Sequence, residues 1–221
     1  PVIAGAGSNS TAEAVELARF AEQAGADAVL SIVPYYNKPN QEGMFHHFSA
    51  VASAVGIPVI LYSVPGRTVV DLTIDTIARL HEAHSNIVGV KDATADLGRA
   101  SLQRDRLGKD FILLSGEDIT ALAFNAHGGH GCISVTANVA PRLCSQMQEL
   151  SLSGDFRGAL AIQDKLVHLH KNLFMEPNPT AVKYAASRLN RCANELRLPL
   201  VPISPATQEA VDFAMRHAGL I

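Results

Sequence analysis

The sequence predicts an α/β fold in which parallel strands alternate with helices, followed by a helical extension. Three observations predict it. Short, near-continuously apolar and mostly β-branched runs recur through the first 140 residues, the pattern of strands buried on both faces. They recur every 20 to 30 residues, the length of one βα unit. Beyond Thr136 the strand-like runs stop and only helical patterns follow.

The strand-like runs lie at 2–4, 28–33, 59–64, 87–91, 111–115 and 132–136. Helix signals fill the gaps. Ser10-Thr-Ala-Glu13 is a capping-box pattern, followed by an apolar stripe of Ala14, Val15, Leu17, Ala18 and Ala21, with Gly25 as a stop. Residues 41–55 repeat the theme, ended by Gly56 and Pro58. Leu72, Ile74, Ile77 and Leu80 form a third stripe, and residues 119–126 a fourth, ended by Gly128 and Gly129. The segments 141–152, 156–174, 179–189 and 205–217 read as helices with no strand between them. Pro179 and Pro205 stand where proline suits a first turn. The domain expectation is therefore a six-unit βα region over 1–140 and, over 141–221, its last helix with a C-terminal helical domain. Six βα units fit a closed barrel or an open doubly wound sheet, and counting strands favours neither. A closed barrel of eight strands typically takes ~250 residues, so a barrel reading requires two further βα units before Pro1.

Composition narrows the function classes. Of 221 residues, 48% are hydrophobic and 18% charged, enough for a large core. The net charge of -3 and the lack of a basic cluster argue against nucleic acid. No apolar run approaches the ~20 residues of a membrane span, and no signal-peptide pattern is present. Cys132, Cys144 and Cys192 are odd in number and lack metal-ligand spacing, which reads as reduced thiols of a cytoplasmic protein. The chain starts at Pro1 inside an apolar run, so the expectation is a piece of a longer protein.

Catalytic groups of βα folds gather at the carboxyl ends of strands, which singles out what ends each run. The fourth ends in Val90-Lys91-Asp92. A lysine closing an apolar run is half-buried by position, and desolvation lowers the pKa of its ammonium, leaving a nucleophilic amine. Such an amine condenses with a ketone to an imine, an electron sink for enamine chemistry. Position alone also allows a lysine snorkelling outward. The third run ends Leu61-Tyr62-Ser63-Val64-Pro65-Gly66-Arg67-Thr68. Tyr62 there can relay protons beside an imine lysine, and Arg67, after a Pro-Gly turn, can hold a carboxylate through two parallel hydrogen bonds. A core tyrosine and a solvated arginine are the bland alternatives. The second run ends in a stiff loop with Tyr35 and Tyr36 between Pro34 and Pro39, suited to a site or to a packing or oligomer contact. Gly5, Gly7, Gly116 and the Gly128-Gly-His-Gly131 stretch allow close backbone approach to a ligand, but no phosphate-loop pattern accompanies them. The histidine pairs His46/His47, His127/His130 and His168/His170 lack shared faces or ligand spacing, so no metal is expected.

Taken together, Pro34-Tyr-Tyr-Asn37, Leu61 to Thr68, Gly89-Val-Lys-Asp-Ala-Thr94, Leu114-Ser-Gly-Glu-Asp118, Gly128 to Asn138 and Glu176-Pro-Asn-Pro179 resemble the motifs of the dihydrodipicolinate synthase and N-acetylneuraminate lyase superfamily. The resemblance runs from Pro1 to Ile221. It implies a (β/α)8 TIM barrel, of which strands 3–8 are present, with a C-terminal helical extension. Arg67 resembles the arginine that distinguishes the synthase branch, where it binds the carboxylate of L-aspartate 4-semialdehyde. The resemblance then implies a lyase in which Lys91 forms an imine with pyruvate and the enamine adds to that semialdehyde, giving 4-hydroxy-tetrahydrodipicolinate for lysine and diaminopimelate biosynthesis. It casts Tyr62 as proton donor and acceptor, and Tyr36 as a relay member reaching into a neighbouring subunit. It makes Gly116 and Ile133 site-lining positions, and Asn9, Glu13 and Tyr35 part of an L-lysine feedback site. No organic cofactor or metal is implied, and a homo-oligomer, a tetramer of tight dimers, is. The family's Gly-Thr-Thr/Ser-Gly-Glu loop, whose threonines bind the pyruvate carboxylate, is not found in this sequence, nor are the histidines that complete the lysine site. A polypeptide of these residues alone is therefore expected to be unstable, inactive or both. Two other readings stand beside the synthase: a keto-acid sugar aldolase or N-acetylneuraminate lyase-like enzyme, and a truncated non-catalytic fragment.

Overall fold

The computed structural model describes every residue from Pro1 to Ile221. Five strands, β1 (Ile3–Gly5), β2 (Ala28–Ile32), β3 (Val59–Ser63), β4 (Ile87–Asp92) and β5 (Ile112–Ser115), pair in parallel in the order of the chain. That order decides between the two architectures that strand counting leaves open. A doubly wound sheet reverses its strand order at a switch point. Here the order never reverses, so right-handed crossovers put all the helices on one side, as around a barrel. The helices form that single layer. In sequence they are α1 (Thr11–Gln23), α2 (Gln41–Ala54), the short α3 (Pro65–Thr68), α4 (Ile74–Ala83) and α5 (Leu97–Leu107). Helix α1 packs on α2, α2 on α4, and α4 on α5.

Four of these helices, α1, α2, α4 and α5, start where a side chain satisfies one of the first free N–H groups. Ser10, Asn40, Thr73 and Asp96 are the caps, accepting from Glu13, Gly43, Thr76 and Gly98. The capping box at Ser10 closes in a different way from the sequence pattern. The Glu13 carboxylate accepts the Ser8 hydroxyl at 2.7 Å, and the Ser10 N–H donates to Ser8 Oγ at 3.2 Å. Ser8 therefore takes the place of one half of the box.

The chain divides into two compact units, residues 1–117 with 127–130, and residues 118–126 with 131–221. The first holds the sheet, with Val59, Leu61, Ile87, Val90, Met44, Phe48 and Leu80 among its buried side chains. The second holds α6 (Ala121–Ala126), α7 (Pro141–Leu152), α8 (Phe156–Asn172), α9 (Thr180–Arg188) and α10 (Pro205–His217). Its core joins Leu166, Leu169 and Leu173 to Ala181 and Ala185 and to Val211, Ala214 and Met215. These spacings of three and four place one apolar stripe on each helix. Pro141 and Pro205 open α7 and α10 within the first turn, whereas Pro179 stands one residue earlier, at the cap of α9. None of the helices is long and apolar enough to cross a membrane.

The sixth strand-like run, 132–136, does not become a strand. Only Cys132 makes an isolated strand-type pairing, and Thr136–Asn138 form a 3-10 turn. The cause is Asp118, a buried carboxylate. It accepts the Ser134 hydroxyl and the N–H groups of Val135 and Thr136, the last two at 2.8 and 3.3 Å. Those N–H groups would otherwise belong to a ladder. A β-branched apolar run carries no sign that a carboxylate elsewhere will claim its donors.

Asp118→Ala would strand these donors in a buried setting. We expect a loss of about 3 kcal/mol, the order of one uncompensated buried group plus its charge-assisted bonds, measured by urea unfolding of the variant against the parent. A loss below 1 kcal/mol would show that Asp118 does not hold this turn.

Candidate active site

The ladder between β3 and β4 puts Tyr62 directly opposite Lys91 and Ser63 directly opposite Asp92. Side chains alternate along a strand, so the two pairs point to opposite faces. On one face Tyr62 and Lys91, both half-buried, meet with the Lys91 Nζ 4.1 Å from the centroid of the Tyr62 ring, a cation–π contact. Gly116, just past β5, closes in on the same lysine. A Cβ built there would lie 3.0 Å from Lys91 Cε and 2.7 Å from Ala93 Cβ. Only glycine lets the backbone come this close, and its N–H donates to the Asp92 carbonyl at 2.7 Å.

Charge surrounds this pair. Burial pushes the Tyr62 phenol above its ordinary value, the Arg67 guanidinium works against that shift, and the Glu117 carboxylate adds to it. Arg67 and Glu117 therefore both bear on Tyr62. Arg67 itself is exposed, in the α3 turn. The turn is held from beneath by buried Thr68, whose hydroxyl reaches the carbonyls of Val64 at 3.1 Å and Val70 at 2.9 Å. The next residue, Val69, is kept at φ 68°, an unusual conformation for a β-branched side chain.

On the opposite face, a hydrogen-bonded network absent from the sequence reading ties the strand ends together. Buried Asp92 accepts from Thr94 N–H and Oγ at 2.9 and 2.6 Å, from Arg99 Nε at 3.0 Å and from Gln103 Nε2 at 2.8 Å. Arg99 continues to Asp71 at 2.8 Å and to the Leu72 carbonyl at 3.0 Å, and Asp71 accepts the Ser63 hydroxyl at 2.7 Å. One signal could have revealed it: Asp92 follows Lys91 in an apolar strand, so alternation must point its carboxylate into the helix layer, where a charge requires partners.

The remaining candidates fall elsewhere. Tyr36 is 90% exposed and sits at φ 71°, with the Asn37 N–H donating to the Tyr35 carbonyl at 2.9 Å. This is the geometry of a γ-turn of the rare, strained kind. Within its own chain Tyr36 does not join the Lys91 cluster. Asn9, Glu13 and Tyr35 are brought together at neighbouring loops. Asn9 Nδ2 donates to the Tyr35 carbonyl at 3.2 Å, and Asn37 Nδ2 donates to the Asn9 carbonyl at 2.9 Å. Exposed Glu13 holds Ser8 beside them. Ile133 belongs to the second unit, next to Ser134 in the Asp118 turn. The histidines go separate ways: His47 to Thr11, His127 to Ser101, His130 to the Leu113 N–H and His170 to Thr136. Burial depresses the pKa of His47 and His170.

An amine on a strand end, a phenol facing it, a guanidinium on an adjoining turn and a glycine against the lysine chain form an arrangement able to condense with a carbonyl. Comparison with known proteins places the whole chain among one family. The model of the dihydrodipicolinate synthetase family matches residues 1–218. The 4-hydroxy-tetrahydrodipicolinate synthase of Parvibaculum lavamentivorans is 66% identical over all 221 residues, which span 76% of that protein. Two solved structures superpose closely. The chloride-inhibited dihydrodipicolinate synthase of Acinetobacter baumannii complexed with pyruvate is 45% identical, with a TM-score of 0.97 over 100% of this chain and 76% of that one. The enzyme of Cyanidioschyzon merolae with lysine bound is 37% identical, with a TM-score of 0.96 over 100% of this chain and 74% of that one. The chain thus spans about three quarters of the relatives it matches.

The buried phenol has a measurable signature. The folded pKa of Tyr62 is raised above the ordinary 10.0. Its contribution to stability is therefore complete below pH 10 and is lost as pH rises through the folded value. In a spectrophotometric titration of the folded protein, the difference between parent and Tyr62→Phe should ionise with a midpoint above pH 10. A midpoint at or below 10 would contradict the burial.

Proposed function

This chain belongs to the dihydrodipicolinate synthetase family, and on that footing we propose which of its residues perform the 4-hydroxy-tetrahydrodipicolinate synthase reaction, in which pyruvate condenses with L-aspartate 4-semialdehyde on the route to diaminopimelate and lysine. The observation that carries the assignment is the register of β3 on β4, with Lys91 Nζ lying over the Tyr62 ring.

Lys91 is the nucleophile. Its neutral amine adds to the pyruvate ketone carbon, and loss of water from the carbinolamine gives the imine. Removal of a methyl proton gives the enamine, whose carbon bonds to the aldehyde carbon of the semialdehyde. The amino group of the semialdehyde then attacks the imine carbon, closing the ring and expelling Lys91. The sum is one new carbon–carbon bond, one new carbon–nitrogen bond and one water released. Tyr62 moves protons at the carbinolamine oxygen. The Nζ contact with the ring keeps the phenol beside the amine, near the oxygen that forms two bonds beyond Nζ. A phenol held protonated by burial enters as a donor. Gly116 keeps the space beside the Lys91 chain open for a planar imine. Arg67 takes the carboxylate of the semialdehyde, its exposed guanidinium suited to two parallel hydrogen bonds.

Tyr36 completes the proton relay from a neighbouring copy of the chain, a role consistent with its exposed side chain and strained turn. The protein then works as a homo-oligomer. Asn9, Glu13 and Tyr35 form a site for L-lysine. The Glu13 carboxylate offers a partner for an ammonium, and the crossed hydrogen bonds of Asn9 and Asn37 fix the loops around it.

In a chain that carries the complete barrel, borohydride reduction in the presence of pyruvate should add the reduced pyruvate mass to Lys91, located by peptide mass spectrometry, and Lys91→Ala should remain unmodified. Adduct on another lysine would sink the assignment. Arg67→Ala should leave the rate of imine trapping within about twofold while lowering kcat/KM for the semialdehyde about tenfold to a hundredfold, the span of a lost charge-assisted bond. Equal losses in both would remove Arg67 from its role. L-lysine should inhibit, and Glu13→Gln should weaken that inhibition about tenfold. Unchanged inhibition in the variant would place the effector elsewhere.

A further inference from the structure

We propose that Arg99 is a positioning residue for the condensation: through Asp92 and Asp71 it locks the ends of β3 and β4 so that the Tyr62 phenol and the Lys91 amine are held at a working separation. The inference rests on the assignment of Lys91 as the imine-forming amine.

The argument begins with the ladder. Tyr62 and Lys91 are register partners, and the next pair along the same two strands is Ser63 and Asp92. Each reactive side chain is thus one residue from a side chain on the opposite face, and each of those opposite side chains enters the same network. Ser63 donates to Asp71, Asp71 accepts from Arg99, and Arg99 donates to Asp92. Three of the donor directions of the guanidinium are occupied: Nε on Asp92, one terminal nitrogen on Asp71 and the other on the Leu72 carbonyl. A planar fork with fixed angles holds its three acceptors at fixed relative positions, which a flexible lysine ammonium cannot do. Asp71 also lies at the end of the segment that carries Arg67, and Ser63 Oγ accepts the Leu72 N–H at 3.3 Å. The Tyr62, Lys91 and Arg67 segments are therefore tied to one cation.

The composition of the network indicates geometry rather than stability as its role. Asp92 is 4% exposed, and both of its oxygens are saturated by four donors. Gln103, with no exposed surface, gives its amide to Asp92 and leaves its own Oε1 without a partner. A buried ion network contributes little to net stability compared with apolar packing, and an unpaired buried acceptor costs free energy. Its return is a rigid carboxylate immediately behind the nucleophile. Reaction rates of oriented groups are sensitive to this, since misplacement by about 1 Å can cost about a hundredfold.

The test compares Arg99→Met, Arg99→Lys and Asp71→Asn with the parent, measuring pyruvate imine formation by single-turnover borohydride trapping, steady-state kcat and KM, and Tm. Trapping of the parent on Lys91 comes first, and its failure would overturn the assignment of Lys91 rather than the role of Arg99. Given a parent adduct, Arg99→Met should slow imine formation about tenfold to a hundredfold, with pyruvate KM within about threefold. Arg99→Lys, which keeps the charge but cannot span all three acceptors, should recover only part of the rate. Asp71→Asn, at a more exposed position, keeps the fold if Arg99→Met does not, and should slow trapping severalfold while sparing Tm. Variants that lower Tm yet trap pyruvate at the parent rate, well below their melting temperatures, would show a purely structural role and overturn the proposal.

Discussion

The pairing of β3 with β4 is the constraint from which the rest of the site follows. Parallel strands with a strict two-residue alternation can present one pair of side chains to a ligand only by sending the next pair the other way. Tyr62 and Lys91 occupy one face, and Ser63 and Asp92 the other. A slip of β4 by one residue would place the carboxylate where the amine is and send the amine into the helix layer. Val90, fully buried, makes such a slip costly, because it would move off its packing position.

The helix layer completes the constraint. Arg99 and Gln103 sit four residues apart on α5, so one face of one helix delivers both to Asp92. The α5 cap, Asp96, is reached through Thr94, whose hydroxyl accepts the Asp96 N–H at 3.2 Å while donating to Asp92. The start of the helix and the end of the strand are thus held by adjacent hydrogen bonds. A second buried carboxylate, Asp118, acts in the same way in the other unit, drawing Ser134, Val135 and Thr136 into a turn. In both units a buried carboxylate organises the backbone at or next to a strand-like run.

Much of this was legible in the residues. The strand positions followed from apolar, β-branched runs because burial on both faces demands them. Strand-end positions pointed to Lys91, Tyr62 and Arg67 because backbone direction in βα units places chemistry there. Gly116 ends a strand-like run where glycine allows close approach, and the approach is to Lys91 Cε. Features that depend on long-range partners are not legible there. Ser8 takes one half of the capping box at Ser10, donating to the Glu13 carboxylate and accepting the Ser10 N–H in its place. The run at 132–136 lost its strand to a carboxylate fourteen or more positions earlier in the chain.

Periodicity, residue type and order along the chain are local properties, and they are enough to place alternating strands and helices, a helical C-terminal part and a lysine amine at the end of a strand. The choice of a barrel over a doubly wound sheet needed the strand order, because both architectures use the same βα units and differ only in which strands are neighbours. The contact of Lys91 with Tyr62, and the joining of Asp71, Asp92 and Arg99 across up to 28 residues, also awaited the fold. Such pairings depend on register and on which helix face packs inward, and no spacing within the chain encodes a hydrogen bond between segments that meet only after folding.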